Sequence, residues 1–254
     1  MHISLRGPIV IFLVSCGLLS TPVWSGEINV AVTSDFAAPM ERLVPLFQKE
    51  SGDTVKISTG ASGKLYAQIK GGAAFDVFLS ADEDMPRQLM IDGLAVGGSR
   101  FVYATGRLVL WSDLPDLVDD KGGVLNKGNF NMLAIANPRY SPYGVAARET
   151  LTKLTMWNSI QEKLAKGENV TQTYQLAATE KVDLALIALS QVMRDGKVTS
   201  GSWWLVPAEL HKPIRQYAVL LKGAKDPAAA NAFLTFLKSE KARSVIRGFG
   251  YEVP

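Results

Sequence analysis

The sequence is poor in the side chains that most often build catalytic and metal centres. Its 254 residues include one Cys and two His. Cys16 and His2 lie close to the N-terminus, so the rest of the chain has no thiol and only one imidazole, that of His211. These residues leave no ligand set for a zinc site and no Cys nucleophile beyond the N-terminal segment. A serine hydrolase would need His211 as its base, and the Gly-x-Ser-x-Gly turn of such enzymes does not occur.

A surplus of either charge is also missing. The chain has 27 Lys and Arg against 24 Asp and Glu, a formal net charge of +3. Nucleic-acid binding usually requires a dense basic patch, and here the charges are few and dispersed. We therefore expect no nucleic-acid partner.

Long apolar runs are absent as well, and the one short run is at the N-terminus. Residues 9–19 are apolar, follow Arg6, and precede small residues at Val23 and Ser25. This pattern predicts a secretory signal peptide over residues 1–25, so we expect export to the periplasm. Residues 13–16 also resemble the box that directs lipid attachment to Cys16, which leaves a lipid-anchored form as the alternative.

From Glu27 onwards, short β-branched runs alternate with helical patterns. Strands are predicted at 28–32, 54–58 and 76–80, with helices between them, and the theme repeats from residue 107 to a late strand at 216–221. This order predicts an α/β fold with mostly parallel sheets. Because no linker-like segment divides the chain, we expect it to pass between two lobes on strands, near residues 103–108 and 215–217. Lobe I would comprise 26–105 and 216–254, and lobe II 106–215.

Three predicted strand-to-helix turns carry hydroxyl or glycine residues. They are residues 33–35, residues 59–63 and residues 137–144. Free backbone N–H groups at a helix start carry partial positive charge, so several such turns in one cleft could bind an anion. Ser34 and Ser62 would add hydroxyl donors, and Gly63 would let the backbone approach the ligand. Simple helix capping explains the same residues and remains open.

Several stretches, in order and at matching spacing, resemble the periplasmic molybdate-binding proteins of ABC importers. The matching stretches are residues 31–40, 60–69, 75–82, 133–138, 142–144 and 167–170. The resemblance implies a type II periplasmic binding protein fold, with two lobes of mostly parallel sheets flanked by helices and linked by two crossover strands. It also implies molybdate or tungstate as the ligand, no cofactor, a membrane permease with its ATPase as partner, and a monomer.

The resemblance further implies which residues bind the oxyanion. Hydroxyl and backbone N–H donors from both lobes would come from Ser34, Asp35, Ser62, Tyr143 and Val170. Molybdenum would be bound only as the oxyanion, with no separate metal site. Related sequences often carry Asn at the Asp35 position, and we expect Asp35 to offer its N–H while its carboxylate turns away from the anion.

One position departs from the family pattern. Ala188 stands where many members have a Tyr, and Tyr143 could compensate through its N–H or its hydroxyl. This departure keeps another small oxyanion, such as sulfate or chromate, open as the ligand. The enzyme alternative is a periplasmic serine hydrolase that uses Ser62 or Ser34 with His211, which we expect in an exposed turn.

Overall fold

The structure, a computed structural model, describes residues 26–179 and 181–254, so the predicted signal peptide and Cys16 lie outside the described residues. The strands are β1 Glu27–Thr33, β2 Thr54–Gly60, β3 Val77–Ser80, β4 Phe101–Gly106, β5 Leu108–Ser112, β6 Leu133–Ala136, β7 Leu164–Gly167, β8 Leu184–Ala188, β9 Met193–Arg194, β10 Lys197–Val198, β11 Ser202–Leu205 and β12 Ile214–Leu220. The α-helices are α1 Ala37–Ser51, α2 Ser62–Lys70, α3 Asp84–Ile91, α4 Gly123–Lys127, α5 Pro142–Lys153, α6 Val170–Ala178, α7 Leu189–Val192, α8 Pro227–Phe236 and α9 Glu240–Gly248. None of the helices in these two ranges is long and apolar enough to span a membrane.

Ten of these strands form two five-stranded sheets of the same design, and β9 and β10 pair antiparallel in a separate two-stranded sheet. The first has the order β2-β1-β3-β12-β4 and the second the order β11-β5-β8-β6-β7. In the first sheet β12 pairs antiparallel with both of its neighbours, while β1 pairs parallel with β2 and β3. In the second sheet β5 has the same antiparallel role, while β6 pairs parallel with β7 and β8. Each sheet is therefore mostly parallel, with a single reversed strand, as predicted.

The chain passes between the two sheets twice. Only Arg107 separates β4 of the first sheet from β5 of the second. The return runs from β11, through residues 206–213, into β12. We call the part built on the first sheet lobe I and the part built on the second sheet lobe II. Strand β4 ends at Gly106, and β12 begins at Ile214. The exact lobe boundaries, between residues 105 and 106 and between residues 215 and 216, stay a prediction.

Both faces of the lobe I sheet are covered by helices, as the alternation along β1 requires. Val30 and Val32 belong to a core that includes Phe47 and Phe233 from α1 and α8. Ala31, which points to the opposite face, belongs to a second core with α2 and α3. Buried residues on both faces explain why the strand reads as a continuous apolar run.

Helix α1 differs from the sequence-based expectation. A proline inside a helical pattern predicts a kink or a break at Pro45, but α1 runs unbroken from Ala37 to Ser51 and is capped by Gly52, which has a φ of 81°. Pro45 lies on the exposed face of the helix. The carbonyl that its ring leaves without a donor, that of Glu41, belongs to an exposed residue and can be hydrated, so the expectation of a split helix was wrong.

Candidate functional site

The residues predicted for the oxyanion site all lie at helix starts. Ser34 and Asp35 open a short 3-10 helix after β1, and Ser62 is the first residue of α2. Tyr143 is the second residue of α5, and Val170 is the first residue of α6. The first backbone N–H groups of a helix have no acceptor within it, and all five residues are buried.

Strand register places these helix starts in two adjacent pairs. At the ends of β1 and β2, Thr33 lies opposite Gly60, so the turns that carry Ser34 and Ser62 are neighbours. At the ends of β6 and β7, Ala136 lies opposite Gly167, so the starts of α5 and α6 are neighbours too. Each lobe thus contributes one pair from the carboxyl ends of its parallel strands, where α/β sheets bind ligands.

Hydrogen bonds between the lobes bring the two pairs face to face. The Thr171 hydroxyl, one residue into α6, donates to the Ser34 carbonyl over 3.1 Å. The Gly63 N–H donates to the Tyr140 carbonyl over 3.0 Å. The structure is therefore in a closed arrangement.

Gly63 has a different role from the one expected. A Cβ there would lie 3.3 Å from the Tyr140 Cα, and its N–H is already used by the Tyr140 carbonyl. The absent side chain allows the close approach of the opposite lobe, whereas the approach to a ligand was the expectation.

The donors at this site are electrically neutral. Lys64 is the nearest cation in sequence to Ser62, and its Nζ pairs with the Glu168 carboxylate of lobe II at 2.7 Å. The Ser62 Oγ accepts a hydrogen bond from the Ala81 N–H over 3.2 Å, and its hydroxyl is close enough to the Asp82 carboxyl to lower the pKa of that group. Each α-helix start adds about half a positive charge. The arrangement suits an anion that needs donors and offers no protons itself.

The Asp35 carboxyl is bound by the C-terminal part of the chain. Its Oδ2 accepts a hydrogen bond from the Tyr251 hydroxyl over 2.9 Å. Burial raises the pKa of the Asp35 carboxyl above its ordinary value, and the hydroxyls of Tyr251, Thr33 and Tyr143 oppose this rise without cancelling it. Whether the carboxyl also turns away from a bound anion stays a prediction.

The Tyr143 hydroxyl lies against the first crossover. A Cβ at Gly106 would be 2.0 Å from the Tyr143 Oη, so this glycine makes room for the phenol. In the part of the chain that the structure describes, the Oη is buried without a hydrogen-bond partner. Burial, followed by the nearby Asp35, raises the pKa of Tyr143 well above its ordinary value. Of the two groups that Tyr143 could offer, the N–H lies at the helix start and the hydroxyl lies at the crossover.

The segment after Ala188 connects lobe II to Asp35. Ala188 is fully buried at the end of β8, and α7 follows it directly. The Ser190 hydroxyl in α7 donates to the Asp35 carbonyl over 2.7 Å, and the Gln191 amide lies 3.4 Å from the Ser34 carbonyl. These contacts and those of Thr171 and Tyr251 were missed from sequence, since neither their spacing nor a motif marks them.

A cleft of about 490 Å³ opens beside this site. Gly63 and Ala81 line it from lobe I, and residues 138–142 line it from lobe II. Its walls include none of the five residues predicted to bind the oxyanion, all of which are buried.

His211 does not meet the requirement of the hydrolase alternative. The residue is buried, with 8% of its surface exposed, so the expectation of an exposed turn was wrong. Its Nδ1 lies 2.7 Å from the Lys212 carbonyl, and within the described ranges it makes no hydrogen bond to Ser34 or Ser62. In the described residues His211 therefore does not form the base–serine pair with Ser34 or Ser62 that this alternative requires.

Comparison with known proteins gives consistent relatives over most of the chain. The molybdate-binding protein ModA of Azotobacter vinelandii is 46% identical over 242 residues, which is 95% of this chain and 96% of the relative. The molybdate-binding protein ModA of Rhodobacter capsulatus is 46% identical over 233 residues, which is 92% of this chain and 91% of the relative. A solved structure of the Azotobacter vinelandii periplasmic molybdate-binding protein matches with a TM-score of 0.87 at 40% identity, covering 89% of this chain and 99% of that one.

These likenesses agree with the two helix-flanked sheets described above. The family model described as bacterial extracellular solute-binding protein matches residues 28–252. The chain therefore belongs to the family of bacterial extracellular solute-binding proteins.

Proposed function

We propose that this protein is the solute-binding component of a molybdate or tungstate ABC importer. The observation that carries the proposal is the set of buried helix starts, two from each lobe, which face each other in the closed arrangement. The oxyanion would be held by Ser34, Asp35, Ser62, Tyr143 and Val170. The two relatives at 46% identity are molybdate-binding proteins, which favours molybdate over sulfate or chromate.

Neutral donors suit a tetrahedral dianion. Three α-helix starts, each with about half a positive charge, oppose the two negative charges without a buried cation. A fully ionised oxyanion can accept hydrogen bonds but cannot donate any, so a donor-only site favours it over a protonated one. Discrimination against sulfate would depend on cavity size, because molybdate is the larger anion.

Closure provides the transport signal. A ligand favours the closed form only if it binds that form better than the open one, and a site divided between two lobes meets this condition. The closed form would then deliver the anion to a membrane permease and its ATPase. In this proposal the protein acts in the periplasm as a monomer without a cofactor, and its N-terminal segment directs export.

Isothermal titration calorimetry of the mature protein with molybdate, tungstate, sulfate and phosphate tests the proposal. We expect tight binding of the first two only. Ser62→Ala should weaken molybdate binding by about 10- to 100-fold, because a hydrogen bond to a charged group contributes roughly 1.5–3 kcal/mol. Ser159→Ala, which removes an exposed hydroxyl far along the chain, is the matched control and should bind as the wild type does.

The possible outcomes test the identity of the ligand separately from the role of Ser62. Tight binding of sulfate without molybdate would refute the cargo while leaving the solute-binding class intact. Equal molybdate affinities for Ser62→Ala and Ser159→Ala would refute the role of Ser62.

A further inference from the structure

Asp35 is an ionisable side chain that is enclosed at the contact between the lobes. Only 1% of its surface is exposed. Its backbone carbonyl accepts a hydrogen bond from Ser190 of lobe II, and its carboxyl accepts one from Tyr251. The Tyr251 hydroxyl also lies 3.1 Å from the Ser190 Oγ. One residue thus joins the first turn of lobe I, α7 of lobe II and the C-terminal segment.

The groups around this carboxyl are hydroxyls. Thr33 and Tyr143 face it in addition to Tyr251, and the hydroxyl oxygens of Thr33 and Tyr143 are buried without a hydrogen-bond partner among the described residues. Tyr103 on β4 is also close enough for Asp35 to raise its pKa. These hydroxyls can accept a hydrogen bond from a neutral carboxyl or donate one to an ionised carboxylate.

No cation within the described ranges forms an ion pair with Asp35. Helices α6 and α7, which contact its turn, contain no charged residue. On the other adjacent elements the charges are engaged elsewhere: Arg42 with Asp195, Arg107 with Glu252, and Arg194 with the carbonyls of Ser190 and Met193. A buried carboxylate without a cation is strongly disfavoured, and such a group becomes neutral instead.

The proposed ligand would add to this preference. If Asp35 donates its backbone N–H to a dianion, the carboxyl of the same residue lies close to the two negative charges of that dianion. At that separation, like charges repel by several-fold more than thermal energy in a protein interior. Binding of the anion and ionisation of Asp35 therefore oppose each other.

We infer that the Asp35 carboxyl carries a proton in the closed form, and that closure over the oxyanion takes up this proton from solvent. The inference rests on the proposed function. When the lobes separate, Ser190 and Tyr143 leave Asp35, water reaches the carboxyl, and the proton dissociates to the buffer. Tyr251 acts as a positioning residue, because it holds the carboxyl on the lobe I side through this cycle. Capture and release of the anion thereby become linked to pH.

The sign of the linkage follows from the two forms. The closed complex holds the proton more tightly than the open protein, so between the two pKa values binding takes up a proton. Affinity then falls as pH rises through this window, by up to tenfold per pH unit. A site without the linkage would show a flat profile wherever the oxyanion is a dianion.

Calorimetry at several pH values, repeated in buffers with different ionisation enthalpies, measures the proton uptake directly. Molybdate and, as a second probe, sulfate would be titrated between about pH 6 and pH 9. We expect wild type to take up a fraction of a proton that changes with pH, up to one. Asp35→Asn should abolish the uptake and flatten the profile. Tyr251→Phe removes a donor that favours the ionised carboxyl, so it should move the midpoint to higher pH.

Two further variants test whether another carboxyl takes up the proton. Asp82 lies near Ser62, and burial also raises its pKa, so Asp82→Asn tests whether this carboxyl is the source. Asp195→Asn removes an exposed carboxyl and should match the wild type. Uptake that survives Asp35→Asn, or that disappears only in Asp82→Asn, would overturn the inference.

The result also distinguishes the inference from the proposed function. Molybdate binding without proton uptake would sink the inference alone. Sulfate binding with an uptake that depends on Asp35 would sink the cargo and support the inference. If neither anion bound at any pH, both would fail.

Discussion

Gly106 lies where the chain leaves lobe I, and an added methyl group there should strain the closed form. A Cβ at this position would be 2.0 Å from the Tyr143 Oη, 3.0 Å from its Cζ and 3.1 Å from the Gln216 Nε2. The backbone of Gly106 does not require the left-handed region. The penalty of Gly106→Ala is therefore steric, and overpacking of this kind costs about 1–3 kcal/mol.

The clash belongs to the arrangement in which α5 of lobe II lies against the crossover. Urea unfolding at a fixed excess of molybdate should therefore show a stability loss of about 1–3 kcal/mol. The same measurement without ligand should show a smaller loss if the open lobes relieve the contact.

A double-mutant cycle with Tyr143→Phe identifies the atoms responsible. Across residues 26–179 and 181–254 the buried Tyr143 Oη has no hydrogen-bond partner, so its removal alone should be close to neutral or slightly stabilising. Because Phe lacks the atom 2.0 Å from the new methyl group, the cost of Gly106→Ala should fall by about 1 kcal/mol in the Phe background. Additive losses, with coupling below about 0.3 kcal/mol, would refute this account of Gly106.

Two further variants test the packing of lobe I and the contact between the lobes. Asp76→Asn should lower the free energy of unfolding by about 1–3 kcal/mol in urea titrations. The buried carboxylate accepts hydrogen bonds from the Asn29 N–H at 2.6 Å and the Lys225 N–H at 2.7 Å, and an amide cannot accept at both ends. An unchanged unfolding midpoint would contradict this role. Lys64→Met removes the ion pair with Glu168, in which the Lys64 side chain is 41% exposed and the Glu168 side chain is 68% exposed. Because exposed ion pairs contribute little, calorimetry should show molybdate affinity lowered by less than about fivefold. A tenfold loss would mean that this exposed pair holds the lobes together.

Much of the fold is predictable from sequence because the buried strands are short and β-branched. The predicted strand at 54–58 lies within β2, and the strand at 28–32 lies within β1. The two crossovers follow from the lack of any linker. Helix α9, in contrast, was not predicted as a separate element, since its amphipathic pattern follows α8 after only a few residues.

The site was predictable only in part, for a physical reason. A strand followed by small polar residues at a helix start is a local pattern, and Ser34, Ser62, Tyr143 and Val170 all lie at such starts. Whether these starts serve as anion donors remains a prediction. The partners of Asp35 were not predictable, because a contact such as that with Tyr251 joins residues 216 positions apart and leaves no local trace.

The hydrogen bond between Tyr251 and Asp35 also sets an order of events during folding. Asp35 follows the first strand, whereas Tyr251 comes after every strand of both sheets. Contacts over such separations form only after the intervening chain has organised, because loop closure over long distances is entropically costly. The enclosure of the Asp35 side chain is therefore completed late, after both sheets have begun to form, although Asp35 itself stands near the start of the first sheet.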